Sequence, residues 1–320
     1  MRIRIEIVFT LIAAAAILCG QGLRVTSIPN KPTPEQIAML RWYEATSGTA
    51  FPVGTQPVGI AFDGAHIWVA NYGSNNVTKL RAADGSLFGS YAVGVQPRAI
   101  AFDGAHVWVA NYGSNTVTKL RASDGFAIDT YAVGTRPCGI AFDGAHIWVA
   151  NIGSSNVTKL RTRDGSLIGT YSVGNNPTGI AFDGNSIWVT NSSDANVMKV
   201  RASDGAVLGT YRTGTSPSGI AFDGANVWIA NNGSHNVTKL RANDGGLVGT
   251  YAVGGYPIGI AFDGTNVWTA DSSTDTVTKL RASDGRPAGT YAVGHGPFYI
   301  AFDGANVWIT IYWGNTVLKL

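Results

Sequence analysis

The triplet Phe-Asp-Gly recurs seven times at a constant spacing of 40 residues, with no insertion or deletion between copies. The copies begin at Phe62, Phe102, Phe142, Phe182, Phe222, Phe262 and Phe302. A fixed period of this length indicates that each unit is one supersecondary structure, which buries its apolar face against the next copy. The chain therefore encodes a repeat architecture over most of its length.

Each unit contains four short runs rich in β-branched and aromatic residues, which in the first copy read PVGIAF, HIWVAN, NVTKLR and SLFGSYAV. Asp-Gly pairs and the segment NYGSN separate these runs, and this pattern predicts four antiparallel strands, A to D, joined by tight turns. The composition agrees, because 41 glycines among 320 residues and only 13% charged residues suit short strands and turns. Four strands in each of seven units predict an all-β, seven-bladed β-propeller.

The two ends of the repeat region complement each other. The seventh copy stops in strand C at Leu320, whereas TAFPVG at residues 49–54 matches the GTYAVG that ends other copies, with Phe51 at the Tyr position. We therefore expect an N-terminal strand to complete the last blade and close the ring. Pro52 fits this prediction because proline is tolerated on the outer edge of a sheet, where strand D lies.

The N-terminus is typical of an export signal. Two arginines precede an apolar run over residues 7–18, which is too short to span a bilayer but has the length of a signal-peptide core. Residues 1–20 are therefore predicted to be a removed signal peptide, and the mature protein to be periplasmic, secreted or on the cell surface, with no membrane span. The alternative is a lipoprotein signal that ends at Cys19, although Leu18 is bulkier than such sites usually tolerate.

Residues 21–47 are predicted to be an N-terminal extension with one short helix, because Thr33 suits the N-cap and Pro34 the first helical position. Residues 48–320 form the predicted propeller. The basic residues behind the formal net charge of +3 are spread through the repeats, so no basic face is visible. This distribution of charge argues against nucleic acid as a partner. We also expect the protein to be a monomer.

The repeat P-x-G-I-A-F-D-G-x-x-[IV]-W-V-A-N-x-G-S-x-x-V-T-K-L-x-x-x-D-G resembles the 40-residue YVTN-type β-propeller repeat. More loosely, it resembles the NHL-type and streptogramin (virginiamycin B) lyase-like propellers. The resemblance covers residues 48–320 and implies the propeller fold. It does not imply one function, because such propellers include binding proteins, lyases and lactonases.

Two of the activities that the resemblance suggests depend on glutamate. The streptogramin lyases use Glu and His around a magnesium ion, with the Glu following W-F-T, and the calcium-dependent lactonase propellers also have a Glu among their metal ligands. The corresponding positions here are Asn71, Asn111, Asn151, Asn191, Asn231, Asp271 and Ile311. The glutamates of the chain are Glu6, Glu35 and Glu44, which all precede the ring. We therefore expect no metal and no cofactor, and the pattern disfavours an enzyme.

The copies differ mainly at one end of the predicted blades. With four antiparallel strands, the D-to-A crossovers and the B–C loops share one face of the ring, which we call the crossover face. The A–B turns on the opposite face differ little, whereas the crossovers read GTQPV, GVQPR, GTRPC, GNNPT, GTSPS, GGYPI and GHGPF. Loops on a rigid scaffold usually carry binding, so this face is the predicted site, and unconstrained drift of the loops is the alternative.

The predicted ligand-binding residues of the crossover face are Arg98, Arg136, Asp194, Tyr256, Asp271, His295, Phe298, Tyr299, Tyr312 and Trp313. Blades six and seven contribute the aromatic members, and aromatic side chains beside a polar rim suit a sugar, a peptide or another partly apolar ligand. His235 and His295, with Asp194 or Asp271, are candidates for a general acid and base, and Asp275 lies on the same face.

Two other groups of residues have simpler structural explanations. His66, His106 and His146 recur at equivalent positions of strand B, where neighbours roughly 9 Å apart by strand spacing are too distant to share a zinc ion. Cys138 is expected to be packed rather than reactive. The repeated Asp of FDG, the Trp of strand B and the Asp of the C–D turn are interpreted as scaffold.

The leading interpretation is an exported module that binds a protein, peptide or carbohydrate through the crossover face. One alternative is a lyase or hydrolase of the streptogramin-lyase type, with His235 or His295 as acid or base. Another is a cell-envelope structural protein that uses its outer strands for contact.

Overall fold

The computed structural model describes residues 48–320, in which 28 β-strands form seven four-stranded antiparallel sheets. The predicted signal peptide and N-terminal helix lie outside the described residues. Each sheet is one blade, and strand A of each blade lies beside strand A of the next around a closed ring. The seven-bladed β-propeller predicted from the repeat is therefore confirmed.

The strands follow the 40-residue period with nearly constant bounds. Blades 1 to 3 contain β2 (Pro57–Phe62), β3 (His66–Asn71), β4 (Asn76–Arg81), β5 (Leu87–Ala92), β6 (Pro97–Phe102), β7 (His106–Asn111), β8 (Thr116–Arg121), β9 (Ala127–Ala132), β10 (Pro137–Phe142), β11 (His146–Asn151), β12 (Asn156–Arg161) and β13 (Leu167–Ser172). Blades 4 to 6 contain β14 (Pro177–Phe182), β15 (Ser186–Asn191), β16 (Asn196–Arg201), β17 (Val207–Arg212), β18 (Pro217–Phe222), β19 (Asn226–Asn231), β20 (Asn236–Arg241), β21 (Leu247–Ala252), β22 (Pro257–Phe262), β23 (Asn266–Asp271), β24 (Thr276–Arg281) and β25 (Pro287–Ala292). Blade 7 combines β26 (Pro297–Phe302), β27 (Val307–Ile311) and β28 (Thr316–Lys319) with β1 (Thr49–Pro52). Within the described residues, a single 3-10 turn covers Ser192–Asp194. No helix within residues 48–320 is long and apolar enough to cross a membrane.

Strand β1 closes the ring as the sequence predicts. It pairs antiparallel with β28 on the outer edge of blade 7, and Phe51 lies opposite Val317. Tyr91 of blade 1 lies opposite Val77 in the same way. The centroid of the Phe51 ring is 5.5 Å from that of Trp308. The ring also packs so closely on Gly85 that a Cβ there would not fit, so Phe51 fixes blade 7 against the C–D turn of blade 1.

Replacing Phe51 by Ala should lower the free energy of unfolding by about 2–3 kcal/mol, because a half-buried aromatic ring leaves the seam between the last and first blades. Phe51→Tyr is the matched control, since Tyr occupies this position in the other blades and keeps the ring. Urea denaturation followed by tryptophan fluorescence measures both variants. Equal stability of Phe51→Ala and the wild type would contradict a closing role for this side chain.

The recurring Asp and Trp form one hydrogen-bonded unit in every blade. In blade 1, Trp68 Nε1–H donates to Asp63 Oδ2 over 2.7 Å, and the backbone N–H groups of Ala65 and His66 donate to Asp63 Oδ1 over 2.9 and 2.7 Å. Burial raises the pKa of Asp63, but these hydrogen bonds outweigh it and hold the pKa below its ordinary value. The FDG and Trp positions are therefore scaffold, as interpreted from the sequence.

The recurring Lys of strand C joins the Trp to the neighbouring blade in six of the seven blades. Lys79 Nζ lies 4.9 Å from the centroid of the Trp68 ring and donates to the Ala122 carbonyl of blade 2 over 2.7 Å. Burial lowers the pKa of Lys79. Lys319 makes the equivalent bond to Ala82 over 2.8 Å, which links blade 7 to blade 1.

Apolar side chains fill the space between neighbouring blades. Trp68 and Val77 of blade 1 are fully buried and form one cluster with Ile100, Val107 and Leu120 of blade 2. An equivalent cluster joins blade 7 to blade 1. The core is thus distributed around the ring between the blades, and the loops are left to the two faces.

Candidate functional site

The crossovers and the B–C loops are bonded to each other on one face of the ring. The Tyr72 N–H donates to Gln56 O and the Gly73 N–H to Thr55 O, each over 3.0 Å. The Gln96 N–H of the next crossover donates to Asn75 Oδ1 over 2.8 Å. The loops of neighbouring blades therefore form a continuous and rigid crossover face.

Three consecutive blades place a tyrosine at the first position of the B–C loop. These residues are Tyr312 of blade 7, Tyr72 of blade 1 and Tyr112 of blade 2, and we call them the tyrosine arc. The rings of Tyr72 and Tyr112 are 6.3 Å apart, and the pKa of Tyr312 is raised first by burial and then by the proximity of Tyr72. The arc crosses the point where the two ends of the propeller meet.

The aromatic residues of blade 7 extend this arc. Phe298 stacks on Tyr312 with ring centroids 5.5 Å apart, and it lies 5.6 Å from Tyr299. Trp313 meets Tyr312 edge to face at 4.8 Å and is 60% exposed. The structure therefore brings together four predicted aromatic residues from the start of strand A and from the B–C loop of blade 7.

Two arginines flank the other end of the arc. The guanidinium carbons of Arg98 and Arg136 lie 5.2 and 5.9 Å from the centroid of the Tyr112 ring. Arg98 is half-buried and Arg136 is exposed. Burial raises the pKa of Tyr299, and the nearby charge of Arg98 offsets this effect only in part. We call the tyrosine arc, Phe298, Tyr299, Trp313 and the two arginines the mouth cluster.

Tyr299 also faces the central channel beneath the mouth cluster. Five other blades have Gly at this position of strand A, where a Cβ would crowd the neighbouring blade, as at Gly59, 2.6 Å from the Arg98 carbonyl oxygen; blade 2 has Ala99. The central cavity has a volume of about 130 Å³, and Tyr299 adds an aromatic side chain to a lining otherwise made of Gly, Ala, Ile and Thr. Tyr299 therefore forms the floor of the mouth cluster.

Asp194 lies on the crossover face in blade 4 and acts within its own loops. Its carboxylate accepts hydrogen bonds from the Asn175 backbone N–H over 2.7 Å and from Asn175 Nδ2 over 3.0 Å. The hydrogen bonds from the side chain and backbone of Asn175 lower its pKa. Ser74 accepts the same backbone bond from Thr55 in blade 1, so Asp194 occupies a scaffold position.

His235 and Tyr256 form a separate aromatic pair. Their rings meet edge to face at 4.9 Å, and His235 Nδ1 accepts the Tyr256 backbone N–H over 3.0 Å. This bond places the imidazole proton on Nε2. Asn75 and Asn115 make the same bond from equivalent positions, so His235 has a structural role in its loop.

His295 pairs with Asp275 rather than with either aspartate considered in the sequence analysis. Its Nδ1 lies 3.2 Å from both carboxylate oxygens of Asp275, and Asp275 also accepts the Gly296 N–H over 2.9 Å. The His295 ring stacks on Trp313 at 6.4 Å, which places the pair beside the mouth cluster. An aspartate that orients a histidine in this way leaves Nε2 available to a ligand.

Asp271 lies inside blade 6. It is fully buried, and the hydroxyls of Thr269 and Thr278 donate to its two carboxylate oxygens over 2.8 and 2.5 Å. Burial raises its pKa to about 6. In blade 3 the equivalent residue is Asn151, whose Nδ2 donates to Thr158. Asp271 is therefore part of the blade interior and is not accessible to a ligand on the crossover face.

The recurring histidines of strand B and the cysteine are packed within the scaffold. His66, His106 and His146 each place Nδ1 3.2 to 3.3 Å from the FDG aspartate of their own blade. Within residues 48–320, no three His, Cys, Asp or Glu side chains form a group that could hold a metal ion. Cys138 is buried with Sγ 3.1 Å from the Pro177 carbonyl oxygen, and burial raises its pKa to about 11.

The outer edge of the ring exposes apolar side chains on strand D. They belong to blades 1 to 5 and are Leu87, Phe88, Ile128, Leu167, Ile168, Val207, Leu208, Leu247 and Val248. Exposed apolar residues on an edge strand suit contact with another surface. This outer rim is a second surface, distinct from the mouth cluster.

Tyr72 and Tyr112 were not among the predicted site residues. The prediction rests on positions where the copies differ, and the B–C loops of blades 1 and 2 are nearly identical. The signal lies in the first residue of each B–C loop, read around the ring with blade 7 placed next to blade 1. Three consecutive blades have a tyrosine there, and the other four do not: the residues are Tyr312, Tyr72 and Tyr112, then Ile152, Ser192, Asn232 and Ser272.

The sequence matches no known family model, and no curated protein matches it. The fold is similar to virginiamycin B lyase from Staphylococcus aureus, with a TM-score of 0.74 and 18% identity over 85% of this chain and 97% of that chain. It is also similar to a chain of Kuenenia stuttgartiensis hydrazine synthase, with a TM-score of 0.73 and 22% identity over 84% of this chain and 97% of that chain. A streptogramin B lyase structure matches with a TM-score of 0.72 and 19% identity over 85% and 96% of the two chains. These similarities confirm the likeness to streptogramin lyase-like propellers at the level of fold.

Proposed function

We propose that this protein is an exported binding module that takes its ligand at the mouth cluster of the crossover face. The observation that carries the proposal is the convergence of the tyrosine arc, the blade 7 aromatics and two arginines on one continuous surface. Exposed or half-exposed aromatic rings beside cationic groups offer large contact areas together with polar groups that orient a ligand.

The position of the mouth cluster supports this proposal. The cluster lies on loops that are hydrogen-bonded to the neighbouring blades, so its side chains are held before a ligand arrives. A preorganised site loses little conformational entropy on binding. The opposite face has short A–B turns that differ little between the copies.

Binding should weaken when two tyrosines of the arc are removed. We expect Tyr72→Ala/Tyr112→Ala to weaken binding of any ligand found on glycan and peptide arrays about tenfold or more, because each aromatic contact contributes about 0.5–1.5 kcal/mol beyond its area burial. Tyr256→Ala is the matched control, since Tyr256 is exposed on the same face but outside the mouth cluster. Equal weakening by both variants, or no effect of the double variant, would overturn the site.

The alternative of a lyase or hydrolase rests on the His295–Asp275 pair beside Trp313. The same ligands distinguish the two functions, because an enzyme converts its ligand to product and a binding module does not. Product formation that disappears in His295→Ala would replace the binding-module proposal with the enzymatic alternative. A melting temperature that changes with magnesium, calcium or EDTA would add support to a metal-dependent reaction.

The alternative of a cell-envelope structural protein rests on the outer rim of exposed apolar residues. That function requires contacts on the rim and makes no use of the mouth cluster. Binding that survives the double tyrosine variant would therefore favour it.

A further inference from the structure

The two arginines of the mouth cluster converge on a single aromatic ring. Arg98 belongs to strand A of blade 2 and Arg136 to the next crossover, yet both guanidinium groups lie within 6 Å of the Tyr112 ring centroid. Within the part of the chain that the structure describes, neither arginine forms an ion pair with a carboxylate. By contrast, Arg121, Arg161 and Arg201 on the opposite face each pair with an aspartate three residues later.

Arg98 is half-buried without an acidic partner, and this arrangement suits an anionic ligand. Removing a guanidinium from water costs free energy unless an anion compensates for the lost hydration. Two acidic residues of the crossover face have other partners: Asp194 accepts from the Asn175 N–H, and Asp275 pairs with Gly296 and His295. An anionic group of a bound ligand would compensate for the lost hydration of Arg98.

The arginines and tyrosines coincide in one sector of the ring. At the position of Arg98, blades 4 to 6 carry Thr178, Ser218 and Ile258. At the position of Tyr72, the same blades carry Ser192, Asn232 and Ser272. A ligand with both an anionic group and a ring would therefore be held by blades 7, 1, 2 and 3 and not by the rest of the same face.

We propose that the mouth cluster binds an anionic saccharide, with its carboxylate or sulfate on Arg98 and Arg136 and its sugar ring on Tyr72 and Tyr112. This inference rests on the proposed function and adds the class of ligand. Guanidinium groups match carboxylate and sulfate oxygens in geometry and charge. Tyrosine suits a sugar because its ring packs against the apolar C–H face while its hydroxyl reaches the sugar hydroxyls.

Three probes test the proposal on the full chain: trigalacturonate, a heparin-derived sulfated disaccharide and uncharged maltotriose. Isothermal titration calorimetry should give binding of at least one anionic probe about tenfold tighter than that of maltotriose, because hydrogen bonds to a charged group add about 1.5–3 kcal/mol. Raising the salt concentration should weaken binding of the anionic probe. Because the heparin-derived disaccharide carries a uronate carboxylate as well as sulfate, binding of trigalacturonate shows that a carboxylate suffices, and binding of the disaccharide alone shows that sulfate is required.

Arg98→Gln/Arg136→Gln should weaken the anionic probe about tenfold or more and leave maltotriose unchanged. Arg163→Gln, on the exposed C–D turn of the opposite face, is the matched control and should have no effect. No binding of either anionic probe at millimolar concentration, or unchanged binding in the double arginine variant, overturns the anionic saccharide. If a neutral or peptide ligand still depends on Tyr72 and Tyr112 in that case, the proposed function stands; if no ligand depends on them, the proposed function fails as well.

Discussion

Replacing Trp148 by Ala should lower the free energy of unfolding by about 3–5 kcal/mol, one of the two largest effects that we expect for a single substitution. Trp148 is fully buried between blades 3 and 4. Its ring lies 5.4 Å from Tyr171 and 5.0 Å from Lys159 Nζ, and its Nε1–H donates to Asp143 over 2.8 Å. The substitution creates a cavity and also removes a hydrogen bond from the buried carboxylate.

Trp313→Ala is the matched control for this prediction. Trp313 is 60% exposed on the crossover face, so its loss should change the free energy of unfolding by less than about 0.5 kcal/mol. Urea denaturation followed by circular dichroism measures both variants without depending on the fluorescence of the removed residue. Similar losses of stability in the two variants would show that the seam between the blades does not carry the stability of the ring.

Asp271→Asn should stabilise the protein at pH 8 by about 1–3 kcal/mol and leave its stability nearly unchanged at pH 4. Burial raises the pKa of Asp271 from 3.8 to about 6 in the folded state. The folded protein therefore holds this proton more tightly than the unfolded chain does, so stability falls as the pH rises from about 4 to 6. Asn carries no charge and is the residue found at this position in blades 1 to 5.

Asn151→Asp is the reciprocal control in blade 3. Asp271 receives one hydrogen bond from Thr269, but the equivalent residue beside Asn151 is Val149, which has no donor. The introduced carboxylate should therefore cost about 3 kcal/mol or more at pH 8, and less at pH 4, where it is protonated. Denaturation curves at both pH values measure the two variants. If the stability of Asp271→Asn depends on pH between 4 and 6 as strongly as that of the wild type, this result would contradict the raised pKa of Asp271.

The scaffold could be predicted from the sequence because each of its signals is local and repeated. The Asp of FDG bonds to the turn that follows it and to Trp68 five residues later, so a single unit contains the whole motif. The register of β1 followed from the match between Phe51 and the Tyr of the other copies. These interactions depend on residues close in sequence or on a pattern that the period makes visible.

The candidate site could be predicted only in part. The sequence placed Arg98, Phe298 and Tyr312 on one face, but their contacts depend on which loops are neighbours after the ring closes. The adjacent rings of Tyr72 and Tyr112 come from the first two blades, whereas Phe298 and Tyr312 come from the last blade at the other end of the chain. The burial of Asp271 could not be predicted from the sequence either, because the loop sequence does not indicate the direction of a side chain at the end of a strand.

The sequence by itself determined the blade, the number of blades and the strand that closes the ring, since a fixed period and alternating strand patterns specify these features through short-range interactions. Only the tertiary structure decided which loop residues form the mouth cluster, which aspartate orients His295 and which one is buried. The physical reason is that closure of the ring brings the first and last blades together. Residues far apart in the chain then share one surface, and their contacts follow from the curvature of the ring rather than from any periodic pattern.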